Sequence, residues 1–203
     1  MPRVIDYSRR IDAIRETVYD LTLAHGPHAV TIDTVASVLL MSGSTIRRIL
    51  NDPAILPRLG LDHVARRRQI RSFARARPTF DLDERWAAAV APVLGMLPLD
   101  EEERQNEAVW RALVACHAQT AWAREAIKEH EFSWAIIIDR ALPETLPTHS
   151  RRYEYIRLHA LVVGAVSGIL AGSMGPDEAL NAVRQHLDDL YTAWLGLGAT
   201  GAA

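Results

Sequence analysis

Between Thr31 and Asn51 the chain gathers side chains able to bind a polyanion. Ser42, Gly43, Ser44 and Thr45 are followed by Arg47, Arg48 and Asn51, with Thr31 a short way upstream. Hydroxyls and guanidiniums bond phosphate oxygens and base edges, and small residues let a helix enter a groove closely. Ile46 and Ile49 would pin the same segment to a neighbour, leaving the polar set on the opposite face. Catalytic chemistry has no comparable cluster. His25 and His28 lack an acidic or cysteine partner at metal-ligand spacing. Cys116 and His117 are adjacent, so on a helix a nucleophile and its base would point apart. Phosphate-cradling glycine loops, Gly-x-Ser-x-Gly and His-Glu-x-x-His are all missing. The expectation is a binding protein, not an enzyme, with no metal and no cofactor.

Helices must position these residues. Ile32, Val35, Ala36 and Leu39 form a short apolar stripe that Thr31 is placed to cap. Leu40-Met41-Ser42 makes a turn, and Ser42 can cap the helix that follows. This is the helix-turn-helix layout. A leading helix carries Ile11, Ile14, Val18 and Leu21 and stops at Gly26-Pro27. The recognition segment ends at Asn51-Asp52-Pro53, and Pro53 suits the first turn of a fourth helix over about 54–71. Spacing alone also describes an ordinary helix pair in a bundle.

The order of residues over about Ile11 to Leu61 resembles the DNA-binding head of the TetR family of bacterial transcription regulators. That family shows a glycine after the first helix, a Thr-Ile-x-x-Ile-Ala run, a turn ending Val-Ser, and x-Gly-Thr-Leu-Tyr-x-x-Phe. Here the corresponding residues are Ala24-His25-Gly26, Thr31-Ile32-Asp33-Thr34-Val35-Ala36 and Met41-Ser42-Gly43-Ser44-Thr45-Ile46. Four positions depart from the pattern: the turn glycine is Leu40, the phosphate-contacting tyrosine Arg47, the closing aromatic Leu50 and the lysine opening the fourth helix Pro53. Arg47 can replace the tyrosine contact and add charge, whereas Pro53 has nothing to donate. The resemblance implies a repressor that binds a double-stranded DNA operator as a homodimer and responds to a small hydrophobic effector; the single cysteine and a first twenty residues charged throughout suggest a cytoplasmic location. The alternative is a ligand-binding or scaffold protein of the same fold that has lost specific DNA binding, a reading motivated by Leu40 and Pro53.

Charge is distributed accordingly. The 203 residues carry a net charge of −2, yet residues 1–80 hold 13 Arg against 7 acids, while the remainder is acidic. A basic head on an acidic body suits one polyanion-binding end, although such asymmetry also arises by drift. Arg3, Arg9 and Arg10 could form an arm. Arg66, Arg67, Arg68, Arg71, Arg75 and Arg77 follow the head and could instead pair with acids of the second domain. A single cysteine excludes a disulfide framework.

No segment alternates convincingly, and helical periodicity recurs to the C-terminus. We therefore expect an all-α fold of about nine helices. An N-terminal three-helix helix-turn-helix DNA-binding domain would span 1–52, and a C-terminal helical ligand-binding and dimerisation domain 53–203. Later helices are expected over 83–97, 100–116 (capped by Asp100 with Glu103), 118–141, 150–171 and 176–195, with a small-residue tail after them. The 19 residues between Arg157 and Asp177 lack Asp, Glu, Lys and Arg, but their glycines, serines and His159 favour a buried helix over a membrane span. Within it, Ala160, Gly164, Gly168 and Gly172 fall at four-residue steps, a ridge that a second helix could approach closely. With Leu187, Leu190, Tyr191 and Trp194 of the last helix they form the expected dimer interface; packing within one monomer is the other reading. Trp86, Met96, Trp110, Cys116, His117, Trp122 and Trp134 are the candidates for an effector pocket implied by the resemblance, or for plain core.

Overall fold

The computed structural model describes residues 7–74, 89–143 and 146–200, without the side chains of 53, 69, 71–74 and 194–200. Within them lie nine α-helices and no strand. They are α1 (Tyr7–His25), α2 (Ile32–Val38), α3 (Gly43–Leu50), α4 (Leu56–Ala74), α5 (89–94), α6 (Glu101–His117), α7 (Ala121–Ala141), α8 (Thr148–Ala171) and α9 (Pro176–Thr200). Short 3-10 turns occupy Pro27–Ala29 and Pro53–Ile55. Pro53 thus opens a 3-10 turn rather than α4 itself, and Asp52 Oδ1 accepts the Ala54 N–H to hold that turn. The last helix runs five residues beyond the expected end, through Gly196 to Thr200.

Helix limits follow from local chemistry. Thr31 caps α2 by accepting the Thr34 N–H at 3.1 Å, and Thr34 Oγ1 reciprocates to the Thr31 N–H at 3.0 Å. Asp100 and Glu103 do the same for α6: Asp100 Oδ1 accepts from Glu103 N at 2.8 Å, and Glu103 Oε2 accepts from Leu99 N at 2.8 Å. Thr120 accepts the Ala123 N–H, which is why α7 begins at Ala121 instead of 118. Pro176 starts α9, where a missing N–H costs nothing.

The chain divides into two compact units, Met1–Arg67 with Gln105–Glu129, and Arg68–Arg104 with His130–Ala203. In the first, Ile14, Val18, Val35, Ala36, Ile46, Ile49, Leu50, Leu56 and Leu59 bury together and lock α1, α2 and α3 to the start of α4. Gly60 shows how tight this is: a Cβ there would stand 2.5 Å from Val18 Cγ1. A second cluster joins Tyr19, Leu61 and Val64 to Val109, Trp110 and Leu113 of α6.

The second unit packs α5, α7, α8 and α9 around Val93, Met96, Leu97, Ile138, Leu158, Val162, Val166, Val183 and Leu187. The α8 helix has 24 residues, and its most apolar stretch has a mean hydropathy of 1.4, so it is long and apolar enough to cross a membrane by length and composition alone. Only one stripe of it, Leu158, Val162, Ala165, Val166 and Ile169, is buried. The expected buried helix is buried along this stripe, while Tyr153, Ile156 and Val163 on another face are exposed.

Candidate nucleic-acid interface

The α3 helix is amphipathic in the sense a groove-binding helix needs. Ile46, Ile49 and Leu50 are buried, while Ser44, Arg47 and Arg48 are exposed. Ser42 Oγ accepts the Thr45 N–H at 3.1 Å and lies 2.8 Å from Thr45 Oγ1 and 2.9 Å from Ser44 Oγ. These hydroxyls order the first turn of α3 and leave their remaining bonding capacity outward. Gly43 is half-buried; a Cβ there would meet Asp33 and Ile32 of α2 at 3.4 and 3.5 Å. Its small size therefore serves the α2–α3 contact as well as any approach to a groove. Exposed Thr31 starts α2, and exposed Asn51 closes α3 with φ 59°, a conformation asparagine tolerates better than most residues.

The turn keeps its shape at Leu40. This residue takes φ 53°, the left-handed conformation that normally calls for glycine, and is 94% exposed. The Met41 N–H still reaches Ala36 O at 2.9 Å, so the turn closes despite the strained leucine. Arg9 adds an exposed cation near the start of α1, while Arg3 lies outside the described residues. Downstream, Arg67 stands 5.1 Å from the Tyr19 ring centroid, and Arg68 is buried 5.3 Å over the Trp134 ring. These two are engaged with aromatic rings of the protein itself. Arg75 and Arg77 fall outside the described residues.

The effector candidates fall in both units. Met96 and Trp134 belong to the core of the second unit, and Trp110 and Trp122 to the α6 cluster of the first. Trp122 lies 5.1 Å from the His117 ring, and burial holds the His117 pKa below its usual value, with a smaller push from His28. Cys116 is exposed, and Trp86 lies outside the described residues. His130 is strongly perturbed: burial pushes its pKa down to about 2, and Arg68 and His159 add repulsion. It meets the Trp134 ring edge-on at 4.9 Å. Among the described residues no group of three side chains could hold a metal ion.

Three of the interface candidates have other duties. Leu187 is fully buried in its own unit, because the regular stripe of α9 packs on α8 and leaves that side chain no outer surface. A Cβ on Gly168 would lie 2.9 Å from Met174 Cβ, so Gly168 makes room for the chain's own turn. Gly172 is the left-handed cap of α8, φ 68°, and Ser173 N bonds back to Gly168 O at 3.0 Å. Ala160 and Gly164 are exposed, with open space around Gly164; Leu190 and Tyr191 are half-buried; the Trp194 side chain lies outside the described residues. A groove beside Arg151, Arg152 and Tyr155 had no signal in the periodicity. Its only trace in the sequence is a pair of arginines after a proline-rich loop.

No family model matches the chain, and no curated protein matches it by sequence. Solved structures do. A transcriptional regulator from Rhodococcus sp. Rha1 superposes with a TM-score of 0.74 at 15% identity, over 90% of this chain and 96% of that one. A candidate TetR-family transcriptional regulator from Rhodococcus sp. gives 0.71 at 16% identity, over 90% and 98%. A candidate transcriptional regulator from Saccharomonospora viridis, in complex with choline, gives 0.69 at 24% identity, over 90% and 95%. The likeness spans both units, and it establishes that this chain has the all-α fold of TetR-type transcriptional regulators.

Proposed function

We propose that the protein is a TetR-family transcriptional regulator that binds an operator in double-stranded DNA. The observation that carries this reading is the α3 surface: Ser44, Arg47 and Arg48 exposed on one side, Ile46 and Ile49 buried on the other. The shared fold with transcriptional regulators supports it. DNA binding is assigned to residues 1–52, through Thr31, Ser42, Gly43, Ser44, Thr45, Arg47, Arg48 and Asn51. Effector binding and dimerisation are assigned to residues 53–203.

Two recognition helices must be spaced about 34–36 Å apart to meet successive major grooves, so the active form is a two-fold homodimer. Its interface uses the exposed side of α8, where Ala160, Val163 and Gly164 lie, with Leu190 and Tyr191 of α9. Covering this apolar strip with a second copy also gives α8 a soluble, cytoplasmic reason for its composition. A small effector that prefers a conformation with the wrong half-site spacing weakens DNA binding by linkage, which makes the protein a repressor released by its ligand. The choline held by the structural neighbour supports a small-molecule effector as a class.

Titration with a DNA fragment containing the gene's own upstream region tests the reading. Saturable binding that weakens steeply with salt is expected, because bound arginines release counterions. Equal, feeble binding to every sequence would instead establish the alternative, a ligand-binding protein that kept the fold without DNA recognition.

A further inference from the structure

A groove of about 760 Å³ runs along the start of α8, between Asp139 at the end of α7 and His149, Arg152, Tyr155 and Ile156. Its volume falls within the range of small-molecule sites. The two arginines at its edge behave differently. Arg151 is tied down: its Nε meets Asp139 Oδ1 at 2.9 Å, and its Nη1 donates to Pro143 O at 2.7 Å and Leu142 O at 3.3 Å. The charge of Arg151 is thereby matched by Asp139. Arg152 is exposed and has no ion pair or hydrogen bond among the described residues. Among the described residues, the groove thus keeps one positive charge without a paired acid.

The walls beside that charge are apolar, and the rings among them pack on neighbouring rings. Ile156 is 51% exposed. Tyr155 stacks on His159 with centroids 5.9 Å apart and planes 13° apart, and His159 Nε2 lies 3.2 Å from Glu131 Oε2. Burial, with Glu131 and Asp139 nearby, raises the Tyr155 pKa, so its hydroxyl stays a neutral donor. His149 packs edge-on against Tyr153 at 4.6 Å.

We propose that this groove binds an organic anion, an apolar or aromatic body lying on Tyr155 and Ile156 with its carboxylate or sulfonate against Arg152. The charge complementarity selects the anion, and the held rings offer a preformed surface that loses little entropy on binding. None of these residues was expected to line an effector pocket, and the site does not require the protein to bind DNA.

The probe is 8-anilinonaphthalene-1-sulfonate, titrated into the full chain without DNA and followed by its fluorescence. Saturable binding at one probe per chain is expected. Arg152→Glu and Ile156→Asp should each weaken it by at least about tenfold, the scale of a single charge-assisted hydrogen bond. Arg184→Glu, on the exposed face of α9, should leave it unchanged. N-phenyl-1-naphthylamine, the same rings without the sulfonate, should bind more weakly. Arg152→Gln serves if the glutamate variant does not fold, as judged by circular dichroism. Wild-type affinity in the Arg152 variant, equal affinity for the neutral probe, or no saturable binding would overturn the proposal.

Discussion

The helix-turn-helix head and the α8–α9 pair solve the same packing problem and leave opposite surfaces. Both bury an aliphatic stripe completely: Ile14, Val35 and Ile46 in the head, Leu158, Val162 and Leu187 in the pair. On the head, the face turned away from that stripe is polar and basic, with Ser44, Arg47 and Arg48 exposed. On α8 it is largely apolar, with Tyr153, Ile156 and Val163 exposed alongside Arg152 and Arg157. A soluble fold tolerates a basic face indefinitely, because water hydrates it. A contiguous apolar face is tolerated best when something covers it. The same helical geometry thus points to a polyanion at one place and to a protein or organic ligand at the other. Interiors differ too. The three-helix core is aliphatic, whereas the second unit encloses Arg68 and half-buried His130 beside Trp134.

Removing the basic face is expected to have the largest effect. Arg47→Ala with Arg48→Ala should weaken operator binding by about 1–3 kcal/mol for each arginine that bonds a base edge, measured by fluorescence anisotropy on labelled DNA. Unchanged affinity would erase the distinction between the two surfaces.

The apolar face can be tested without touching the fold. Gly164→Leu has open space within the chain and should leave the far-ultraviolet spectrum intact while shifting sedimentation toward monomer. Gly168→Leu, by contrast, strikes Met174 and should lower the melting temperature at any protein concentration, an overpacking cost of about 1–3 kcal/mol. If both variants merely lower the melting temperature and dimers persist, the α8 face is not the interface.

Acid should act on the interior of the second unit through His130. His130 is neutral when folded, with its pKa pushed to about 2, but takes up a proton near the ordinary histidine value of 6.5 when unfolded. The unfolded chain therefore binds more protons between those values, so stability falls as pH drops below 6.5. Thermal melts at a series of pH values should show this slope, and His130→Gln should flatten it. An identical slope in the variant would remove His130 as the source.

The smallest change is expected in the turn. Leu40→Gly relieves a left-handed leucine and should stabilise the protein by about 1 kcal/mol in urea, with no loss of DNA affinity. A destabilised variant would mean that Leu40 makes an interaction the strain sustains.

The head was legible because its determinants are local. Caps at Thr31 and Ser42 act on backbone groups within four residues, and the Ile46–Ile49 spacing states which side of α3 is buried. The effector candidates were less legible, because tryptophans mark apolar volume without saying which cluster they join. Trp110 and Trp134 entered separate cores. The members of the glycine ridge have different surroundings. A four-residue period does not distinguish Gly164, which faces open space, from Gly168, which accommodates Met174, or Gly172, which needs a positive φ.

Helix number, helix limits and the polar face of α3 were thus set by residues and their near neighbours, since capping and helical periodicity are properties of a few turns of chain. The fate of α9's stripe, the engagement of Arg67 and Arg68 with aromatic rings and the unmatched charge of Arg152 were decided only by tertiary packing. Each depends on which distant residue arrives beside it, and burial and charge pairing are relations between segments that no single segment contains.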